Sequence, residues 1–492
     1  MFSRKTEIAA LLLGALTVCG FAPLRWFPLP LITLALLFVL WRNAATPRRA
    51  AWLGWLWGLG CFLSGVSWVY VSMHDVGGMP APFAALATLL LCACLALYPA
   101  LAGWLFARFR CDSAGRDALL VAGTWTVAEW LRGILLTGFP WLAVGYTQSP
   151  PSPLAGYAAV LGVYGISLLV AALAALLAFS WRRPGNALIM LGVATGGYLL
   201  QQIAWTQPVG TPLTVSLLQG NISQDSKWDP QLLTNSLDTY ARLARTHPAQ
   251  LLVLPETALP MFLDDVPEEY LRELTANGPT LFGVAMHTRA VDNPDGYTNS
   301  AVTLSADGRL QSYAKSHLVP FGEFVPPGFA WFLALMQMPM SDFSAGPAYQ
   351  RPLEIAGQKI APNICYEDLF GEEILRTLPE ATLLINLSNT AWFGDSLAQP
   401  QHLQIAQMRA METGRTMLRA TNTGMTAAVR PDGRIVAELP AFTADALAVE
   451  VHGFAGMTPF AHWGNSLALL LALGALVPAL LQRRLTATGR GG

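Results

Sequence analysis

Three residues with side chains suited to covalent chemistry stand beside short apolar runs in the middle of this chain. Glu256 follows Leu251–Pro255, Cys365 follows Ile360–Ile364, and Lys315 lies between them in the sequence. Reactive groups are commonly placed at strand ends, where a rigid sheet delivers them to a cleft. Taken singly, a free cysteine is more often an inert buried residue, and a glutamate or lysine is more often a solvated loop charge. The case for a site therefore depends on the three residues together.

A cysteine, a carboxylate and a lysine can together carry acyl transfer through a thioester. Such chemistry needs a thiolate, a proton acceptor and a group that holds the developing oxyanion. Free cysteine has a pKa of about 8.5, so it needs a neighbouring cation or base at neutral pH. In this hypothesis Glu256 takes the proton from Cys365, and Lys315 places positive charge beside the thiolate and the oxyanion. His317 and His402 are alternative bases, and the sequence favours the glutamate over either.

The segments around these residues resemble the Glu, Lys and Cys motifs of the nitrilase superfamily. The motifs occur in the same order as in that superfamily, in Leu254–Pro260, Lys315–Glu323 and Asn363–Asp368. Asn386–Asn389 with Trp392–Gly394 resembles its strand and loop after the cysteine. The resemblance assigns catalytic roles to the glutamate, the lysine and the cysteine.

The sequence before and after these motifs narrows the resemblance from the whole superfamily to one family within it. Apolar spans precede and follow it, and together with Gly138–Trp141 and Gln219–Asp229 they make the chain similar to the apolipoprotein N-acyltransferase family. This implies an αββα sandwich on a membrane α-helical base of about eight helices. It further implies transfer of a fatty acyl chain from a phospholipid, typically phosphatidylethanolamine, to the N-terminal amine of S-diacylglyceryl-cysteine apolipoproteins, with neither a metal nor a soluble cofactor.

Four further residues match positions of functional interest in that family, namely Trp228, Glu323, Tyr366 and Glu367. The two glutamates could orient Lys315 or adjust the base, in the way that supporting residues hold a catalytic group. Tyr366 is either a neighbour of the oxyanion or a packing residue. For the glutamates, the alternative is that they are ordinary loop carboxylates.

Substrate binding is predicted at residues of both halves of the chain. Glu129 and Arg132 lie about one turn apart on one face of an apolar helix, where charges are usually paired or functional. Arg132 and Trp141 are therefore predicted to contact a lipid head group, and Asn386 to contact substrate; a structural ion pair is the alternative for the two charges. The apolar stretch Phe324–Met340 is predicted to dip toward the membrane and guide acyl chains, with core packing as its alternative.

The elements that must position this site begin with a membrane-spanning half. The chain has 492 residues, of which 53% are hydrophobic and 12% charged, and its net charge of −1 gives no indication of nucleic-acid binding. A soluble protein carries about twice that charged share. Apolar runs predict about eight spans, of which the second is weakest because Pro28 and Pro30 open it. The runs lie near 8–24, 27–41, 51–73, 83–107, 117–137, 153–181, 187–205 and 463–481.

Basic residues predict the orientation of these spans. They gather in alternate loops and far outnumber the basic residues on the other side, which are Arg25 in a loop and Arg132 near the end of span five. The gathered residues are Arg4, Lys5, Arg42, Arg48, Arg49, Arg108, Arg110, Arg116, Arg182, Arg183, Arg483, Arg484 and Arg490. Both termini are therefore predicted to be cytoplasmic. The segment 206–462 would be periplasmic, on a multi-pass protein of the bacterial inner membrane.

Between the last two spans, the pattern changes to short strands that alternate with helices, which predicts one α/β domain. The predicted domains are spans one to seven in 1–205, the catalytic domain in 206–455, and the eighth span with a cytoplasmic tail in 456–492. Predicted strands are Leu213–Gln219, Leu251–Pro255, Thr280–Met286, Ser300–Leu304, Ile360–Cys365, Thr382–Leu387, Met417–Ala420 and Ala427–Arg430. Predicted helices are 229–246, 266–276, 370–377 and 399–413. Cys365 is the lone cysteine of this segment, so no disulfide or metal pairing is expected there, and the chain is expected to be a monomer.

Three other functions compete with acyl transfer. One of them, a non-catalytic binding domain with a relic triad, is disfavoured by the intact Glu256, Lys315 and Cys365. A membrane-tethered amidase would use the same three residues to hydrolyse a small amide, with water as the acceptor. A transporter with a regulatory domain would need several charges inside its spans and helices broken at mid-depth. The sequence offers only Glu129 and Arg132 inside a span, which argues against transport.

Overall fold

The computed structural model describes residues 4–111, 113–180, 182–224, 233–288, 296–326, 328 and 342–488, without the side chains of 482–488. The chain divides into two compact units. One contains Met1–Tyr70, Pro80–Ile203 and His462–Gly492, and the other contains Val71–Met79 and Ala204–Ala461. The sequence did not place Val71–Met79 with the second unit.

Helices dominate the first unit and alternate with strands in the second. The helices of the described residues are α1 (Arg4–Thr17), α2 (Leu29–Arg42), α3 (Pro47–Gly65), α4 (Trp68–Val71), α5 (Ala81–Leu95), α6 (Leu97–Phe109), α7 (Ala114–Ile134), α8 (Ala158–Ser180), α9 (Pro184–Leu200), α10 (Leu233–Thr246), α11 (Glu268–Thr275), α12 (Gly371–Ile374), α13 (Ala398–Thr413), α14 (Pro459–Trp463) and α15 (Ser466–Thr488). The strands are β1 (Gln207–Gln219), β2 (Leu251–Val253), β3 (Leu259–Phe262), β4 (Thr280–His287), β5 (Tyr297–Leu304), β6 (Leu310–Ala314), β7 (Leu353–Ile355), β8 (Gln358–Ile364), β9 (Leu383–Ser388), β10 (Thr416–Thr421), β11 (Ala427–Val429), β12 (Ile435–Glu438) and β13 (Asp445–Ala455).

Within the described residues, three helical stretches are long and apolar enough to cross a membrane, and these are Ala81–Phe109, Ala114–Thr137 and Pro153–Ser180. Pro47–Gly65 with Trp68–Val76 makes a fourth if this pair, bent by 52°, is one span. Shorter apolar helical stretches lie at the other predicted positions, among them Leu29–Arg42, Pro184–Leu200 and, within α15, Ser466–Leu481. For example, α1 has 14 residues, which at about 1.5 Å each covers about 21 Å, less than the hydrocarbon core of about 30 Å. The apolar base is present, and the count of eight spans stays a prediction.

Small residues bring the helices of the first unit together. A Cβ atom on Gly14 of α1 would lie 1.9 Å from the carbonyl oxygen of Trp57 on α3. A Cβ atom on Gly60 would lie 2.0 Å from the carbonyl oxygen of Leu11. Glycine is therefore required at both positions if the two backbones are to touch, as is common between helices in membranes.

The second unit contains two sheets. In the described residues the first has seven strands in the order β13-β1-β2-β4-β5-β6, with β3 also paired to β4, and the second has six in the order β12-β11-β10-β9-β8-β7. The central strands β1, β2 and β4 run parallel to one another, as do β8, β9 and β10. The carboxyl ends of parallel strands meet at one edge of a sheet, which brings residues that follow different strands together.

The two sheets pack face to face, with helices on their outer faces. One hydrophobic cluster lies between the sheets and includes Val253 and Ile385. A second packs Phe282 of the first sheet under α10 and α11. A third packs Leu384 of the second sheet under α13. Successive residues of a strand point to opposite faces, so neighbours such as Leu384 and Ile385 enter different layers. The result is the αββα layering that the resemblance implied.

Each strand predicted from the sequence is present, with ends shifted by a few residues. The predicted helix 370–377 is shorter, since α12 is followed by a 3-10 turn. The predicted helix 229–246 is seen from Leu233, and residues 229–232 lie outside the described part of the chain. The strands that the sequence did not predict are β3, β6, β7, β12 and β13.

Candidate active site

The three predicted catalytic residues each follow a strand. Glu256 comes shortly after β2, Lys315 directly after β6, and Cys365 directly after β8. The backbone N–H of Lys315 donates to the Asn299 carbonyl at 2.8 Å, so the pairing of β5 with β6 extends to the lysine. Glu256 lies 3.4 Å from the Lys315 ammonium, and both groups act on the pKa of the Cys365 thiol, so the three residues share one site. The sequence and the two-sheet fold thus bring together groups that are far apart along the chain.

Lys315 lies between two carboxylates. Its Nζ is 2.8 Å from Glu323 Oε1 and 3.4 Å from Glu256 Oε1, and its side chain is 1% exposed. The Asn299 amide donates to the same two oxygens, at 3.0 and 2.7 Å. Burial alone would lower the pKa of Lys315, but Glu323 and then Glu256 outweigh it, so this pKa is held above its ordinary value. Lys315 is therefore a permanent cation beside Cys365.

Glu256 is held through both of its oxygens. Oε1 accepts from Asn299 and faces Lys315, and Oε2 accepts from the backbone N–H of Asn389 at 2.8 Å. Hydrogen bonds to a carboxylate stabilise its charged form, which is the form that accepts a proton. Its contact with Lys315 and its electrostatic effect on the Cys365 thiol suit the role of a base.

Cys365 begins the 3-10 turn Cys365–Leu369 with a φ of 52°, in the left-handed region that residues other than glycine rarely adopt. Burial raises the pKa of its thiol, Glu256 raises it further, and Lys315 opposes them, so the net pKa lies well above its ordinary value. The resting cysteine is a neutral thiol. It requires a base at the moment of attack, because the thiolate is the nucleophile.

Glu367 joins the segment after β6 to the cysteine turn. Its Oε1 accepts from the Tyr313 hydroxyl at 2.9 Å and from the backbone N–H of Ser316 at 2.7 Å and His317 at 3.2 Å. Its Oε2 accepts from the backbone N–H of Ile364 at 2.7 Å. Burial raises the pKa of Glu367, and these hydrogen bonds oppose the shift. The carboxylate therefore fixes the backbone on both sides of the site.

The two histidines considered as alternative bases face other carboxylates. His317 Nδ1 is 3.2 Å from the Glu373 carboxylate, and His402 Nε2 is 2.7 Å from Asp368 Oδ1. The Tyr366 ring packs 5.7 Å from the His317 ring and is buried. These contacts favour the glutamate after β2 as the base.

The turn that follows Asn389 is braced by Val71–Met79. Ser72 Oγ donates to the Trp392 carbonyl at 2.7 Å. Since the N–H of Asn389 binds Glu256, this early segment belongs to the surroundings of the proposed base. Nothing in the local sequence predicts a contact between residues so far apart.

The residues predicted to bind substrate have partners inside the protein. The Arg132 guanidinium, 3% exposed, donates to the carbonyls of Phe139, at 2.6 Å, and Trp141. Glu129 Oε1 accepts from the N–H of Val144 at 2.9 Å. The two charges thus hold one loop of the first unit, and Trp141 is itself buried. These contacts of Glu129 and Arg132 are with the backbone of the loop, and a contact with a lipid head group stays a prediction.

Asn386 is also buried, and its amide donates to the Asn363 side chain at 2.7 Å and to the Cys365 carbonyl at 3.1 Å. Trp228 lies outside the described residues, as does most of Phe324–Met340, of which only 324–326 and 328 are described. Among the described residues, no group of three or more His, Cys, Asp or Glu could hold a metal ion.

Sequence reasoning missed Asn299 and the N–H of Asn389. Asn299 stands in the middle of β5, where a buried amide between two predicted motif residues is a weak but usable signal. A backbone donor such as the N–H of Asn389 has no signature in the side-chain sequence. Both are visible only once the strands are paired.

Two family models match the chain. One, described as the apolipoprotein N-acyltransferase N-terminal domain, matches residues 13–176, and another, described as carbon-nitrogen hydrolase, matches residues 214–454. Proteins named apolipoprotein N-acyltransferase are similar along nearly the whole chain. The one from Nitrosomonas europaea is 49% identical and covers 97% of this chain and 98% of its own, and the one from Ralstonia nicotianae is 50% identical, at 96% and 93%. The one from Methylococcus capsulatus is 44% identical, at 99% and 98%.

Among solved structures, a carbon-nitrogen hydrolase superfamily protein from Xanthomonas campestris matches 49% of this chain and 91% of its own, with 20% identity and a TM-score of 0.36.

Proposed function

This chain belongs to the apolipoprotein N-acyltransferase family, and from that premise we propose that it transfers a fatty acyl chain from a membrane phospholipid to the N-terminal amine of S-diacylglyceryl-cysteine apolipoproteins through a thioester on Cys365. The observation that carries the proposal is the buried Lys315 ammonium, within reach of Glu256 and Glu323 and beside the cysteine. This arrangement provides a nucleophile, a base and a cation for the oxyanion.

In the first half-reaction, Glu256 removes the thiol proton as the sulfur attacks the ester carbonyl of the phospholipid. The carbonyl oxygen becomes an oxyanion, which the Lys315 ammonium stabilises. When the tetrahedral intermediate collapses, the bond to the glycerol oxygen breaks and that oxygen takes the proton from Glu256. A lysophospholipid leaves, and Cys365 carries the acyl chain as a thioester.

In the second half-reaction, the neutral amine of the apolipoprotein attacks the thioester carbonyl. Glu256 takes a proton from the amine as the carbon–nitrogen bond forms. The carbon–sulfur bond then breaks, and Glu256 returns the proton to the sulfur of Cys365. The products are an N-acylated lipoprotein and the free enzyme, so the reaction alternates between two substrates.

The other predicted residues take supporting roles in this proposal. Glu323 holds Lys315, and Glu367 fixes the backbone around the cysteine turn, as their hydrogen bonds support. Tyr366 neighbours the oxyanion, and Trp228 remains a supporting residue on the basis of the family resemblance alone. For contacts with substrate, the proposal keeps the predicted residues Arg132 and Trp141, although each has an internal partner in the described structure. Asn386 was also predicted to contact substrate, but it is buried and donates to the Cys365 carbonyl, so the proposal gives it a role in holding the cysteine turn.

The proposed location is the bacterial inner membrane. The apolar runs support about eight spans. The loops that are rich in basic residues support two cytoplasmic termini and a periplasmic catalytic unit. The acyl donor is then a membrane lipid, for which we propose phosphatidylethanolamine, and the working form is a monomer.

Intact-mass measurement of the detergent-solubilised full chain tests this proposal. After exposure to dioleoylphosphatidylethanolamine, we expect one fatty-acyl adduct, which peptide mapping assigns to Cys365. A synthetic diacylglyceryl-cysteine peptide should discharge the adduct and gain the acyl chain. Cys365→Ser should abolish the labile adduct, and Cys61→Ser, at another buried cysteine, should retain it. An adduct on any other residue would contradict the assignment.

A membrane-tethered amidase is the second candidate, favoured by the match of residues 214–454 to the carbon-nitrogen hydrolase model. It uses the same three residues, but water discharges the acyl-enzyme. Rapid hydrolysis of small amides, with no transfer of the acyl chain to the peptide amine, would support this candidate over the acyltransferase.

A further inference from the structure

A buried ionic cluster lies behind the cysteine turn and takes no part in the mechanism above. Asp368, in the turn Cys365–Leu369, has no solvent exposure. Its Oδ1 is 2.7 Å from His402 Nε2 on α13, and its Oδ2 is 3.0 Å from Arg419 Nη1 on β10. Both partners are also buried. One carboxylate therefore joins the turn to a helix and to a neighbouring strand.

The cluster reaches the cysteine itself through Asn386. Arg419 Nη1 donates to Asn386 Oδ1 at 3.1 Å, and the Ser388 hydroxyl donates to the same oxygen at 2.6 Å. The Asn386 amide nitrogen donates to the Cys365 carbonyl at 3.1 Å. A closed path of contacts thus begins at Asp368 and returns to the turn at Cys365.

Strand register places these side chains in one row. Asn363 of β8 pairs with Asn386 of β9, which pairs with Arg419 of β10. Adjacent residues on the same outer face, such as Leu384 and Met417, belong to the apolar cluster under α13. Apolar residues of similar size would pack there without desolvating charges, and such replacements are often neutral or stabilising. Packing alone does not explain a row of buried amides and charges.

The turn requires the kind of support that this row supplies. Cys365 has a φ of 52°, and a residue with a side chain stays in that region only where its surroundings hold it there. The hydrogen bond from Asn386 fixes the carbonyl that follows this strained φ. Since the same peptide group orients the start of the turn, the position of the thiol depends on it.

We propose that Asp368, His402 and Arg419 are positioning residues, which act through Asn386 on the Cys365 carbonyl and hold the left-handed turn from which the thiol reacts. The inference rests on the proposed function, in which Cys365 is the nucleophile.

The charges of the cluster balance, which makes its action geometric. Asp368 offsets Arg419 directly. Burial, and then Arg419, lower the pKa of His402, so the imidazole is neutral and donates its Nε2 proton to Asp368. Asp368 is among the groups that raise the pKa of the Cys365 thiol, and Arg419 offsets its charge, so the cluster acts on the thiol mainly through its geometry. Its loss should therefore slow attack without altering how phospholipid binds.

The test compares two variants with a matched control in the full chain. Asn386→Ala removes the Asn386 hydrogen bond to the Cys365 carbonyl and leaves the Asp368–Arg419 pair in place, so no buried charge loses its ionic partner. Arg419→Gln breaks the pair. Arg415→Gln is the control, since Arg415 is just as buried in the same region but donates to the carbonyls of Ala381 and Gly456.

The readout is the rate of thioester formation on Cys365, measured by quenched peptide mass spectrometry over a range of dioleoylphosphatidylethanolamine concentrations. Asn386→Ala and Arg419→Gln should lower the maximal rate about tenfold or more, with the half-saturating lipid concentration unchanged. Arg415→Gln should lower the unfolding temperature but leave the maximal rate within about twofold of the unaltered chain.

Other outcomes would contradict either the positioning role or the proposed function. Acylation of Asn386→Ala at the unaltered rate would overturn the positioning role, and so would a change confined to the half-saturating concentration. If Arg419→Gln fails to fold, Asn386→Ala still decides. If the unaltered chain forms no adduct on Cys365, the proposed function itself fails, and the positioning role fails with it.

Discussion

At the level of single residues, the charge of Lys315 offsets the charges of two neighbouring carboxylates. Its ammonium is buried between Glu323 and Glu256. Removing one partner from a buried ionic cluster leaves the others charged and unpaired, which destabilises far more than the pair ever stabilised. The same cation is also the group that faces the proposed oxyanion. Stability and activity therefore depend on one atom, Nζ.

Lys315→Met should consequently lower the free energy of unfolding by about 3–5 kcal/mol, because two buried carboxylates lose their cation. It should also lower the rate of peptide N-acylation by about a hundredfold to a thousandfold, as expected when a donor to an oxyanion is lost. Denaturant titration and a mass-spectrometric acylation assay measure the two effects. Lys359→Met is the control, since the Lys359 side chain is half exposed and its partner Glu354 is 4.0 Å away. Equal losses in both variants would contradict the role given to Lys315.

The raised pKa of the Cys365 thiol predicts a pH dependence. The pKa lies well above its ordinary value, so the neutral thiol predominates at neutral pH and the thiolate fraction grows as the pH rises. Between about pH 6 and pH 9, the rate of Cys365 alkylation by iodoacetamide should increase continuously without a plateau. Peptide mapping measures it, with free glutathione as a control for the reagent. A plateau below about pH 7 would show a preformed thiolate.

Glu367 provides a test of the backbone around the site. Glu367→Gln keeps the shape of the side chain but replaces one carboxylate oxygen with an NH2 group. This group is a donor, so it cannot accept from the backbone N–H groups that the oxygen bound. With a buried hydrogen bond lost, the free energy of unfolding should fall by about 1–3 kcal/mol, and acylation should slow with it. Thermal and denaturant unfolding measure the change against Glu268→Gln, whose carboxylate is on the surface. A stability equal to that of the unaltered chain would contradict the account.

The motifs made Glu256, Lys315 and Cys365 predictable as a group, because each stands in a distinctive stretch of sequence. The groups that hold them were not predictable in the same way. Asn299 bonds to two carboxylates that lie before and after it in the chain, and only the pairing of β5 with its neighbours shows this. Asp368 follows directly after the residues of interest, but its partners are on other elements.

At the level of elements, the brace between Val71–Met79 and the turn after Asn389 gives a further prediction. Ser72→Ala removes the hydrogen bond to the Trp392 carbonyl. A hydrogen bond contributes about 1 kcal/mol, so a shift of the turn that holds Glu256 should slow acylation about fivefold. The acylation assay measures this against Ser180→Ala, which loses a bond to the Leu176 carbonyl within one helix. Unchanged rates in Ser72→Ala would show that the brace does not reach the base.

Strands were predictable where their residues were buried on both faces, as in β9. The missed strands are short or lie at an edge, like β7 with three residues, and their local pattern is too brief to stand out. β13 is different, since Leu447, Val449 and Val451 alternate with more exposed residues along it. That alternation was available in the sequence as a signal for a half-buried strand.

At the level of the whole molecule, the concentration of basic residues in alternate loops predicts where each segment lies across the membrane. A cysteine introduced by Asp307→Cys, in the exposed turn before β6, should react with a membrane-impermeant maleimide in cells whose outer membrane is permeable. Ala45→Cys, exposed in a loop predicted to be cytoplasmic, should react only after the inner membrane is opened. Labelling is measured at the introduced residue by peptide mapping. The reverse pattern would contradict the proposed orientation.

Hydropathy predicted the division between an apolar base and an α/β unit, because both patterns repeat over many residues. It did not predict that Val71–Met79 belongs with Ala204–Ala461. The unit to which a segment belongs depends on its contacts in the folded chain, and the composition of the segment does not predict these contacts.

That membership also sets an order of events during synthesis. Ser72 and the Trp392 carbonyl are 320 residues apart. A ribosome adds about 5–20 residues per second, so Trp392 is synthesised on the order of tens of seconds after Ser72. Meanwhile the early segment is tethered at both ends to helices that have already been translated. The catalytic unit is complete only when the turn that contains Trp392 has bound Val71–Met79. A ribosome that stalls before Trp392 therefore leaves Glu256 without this brace.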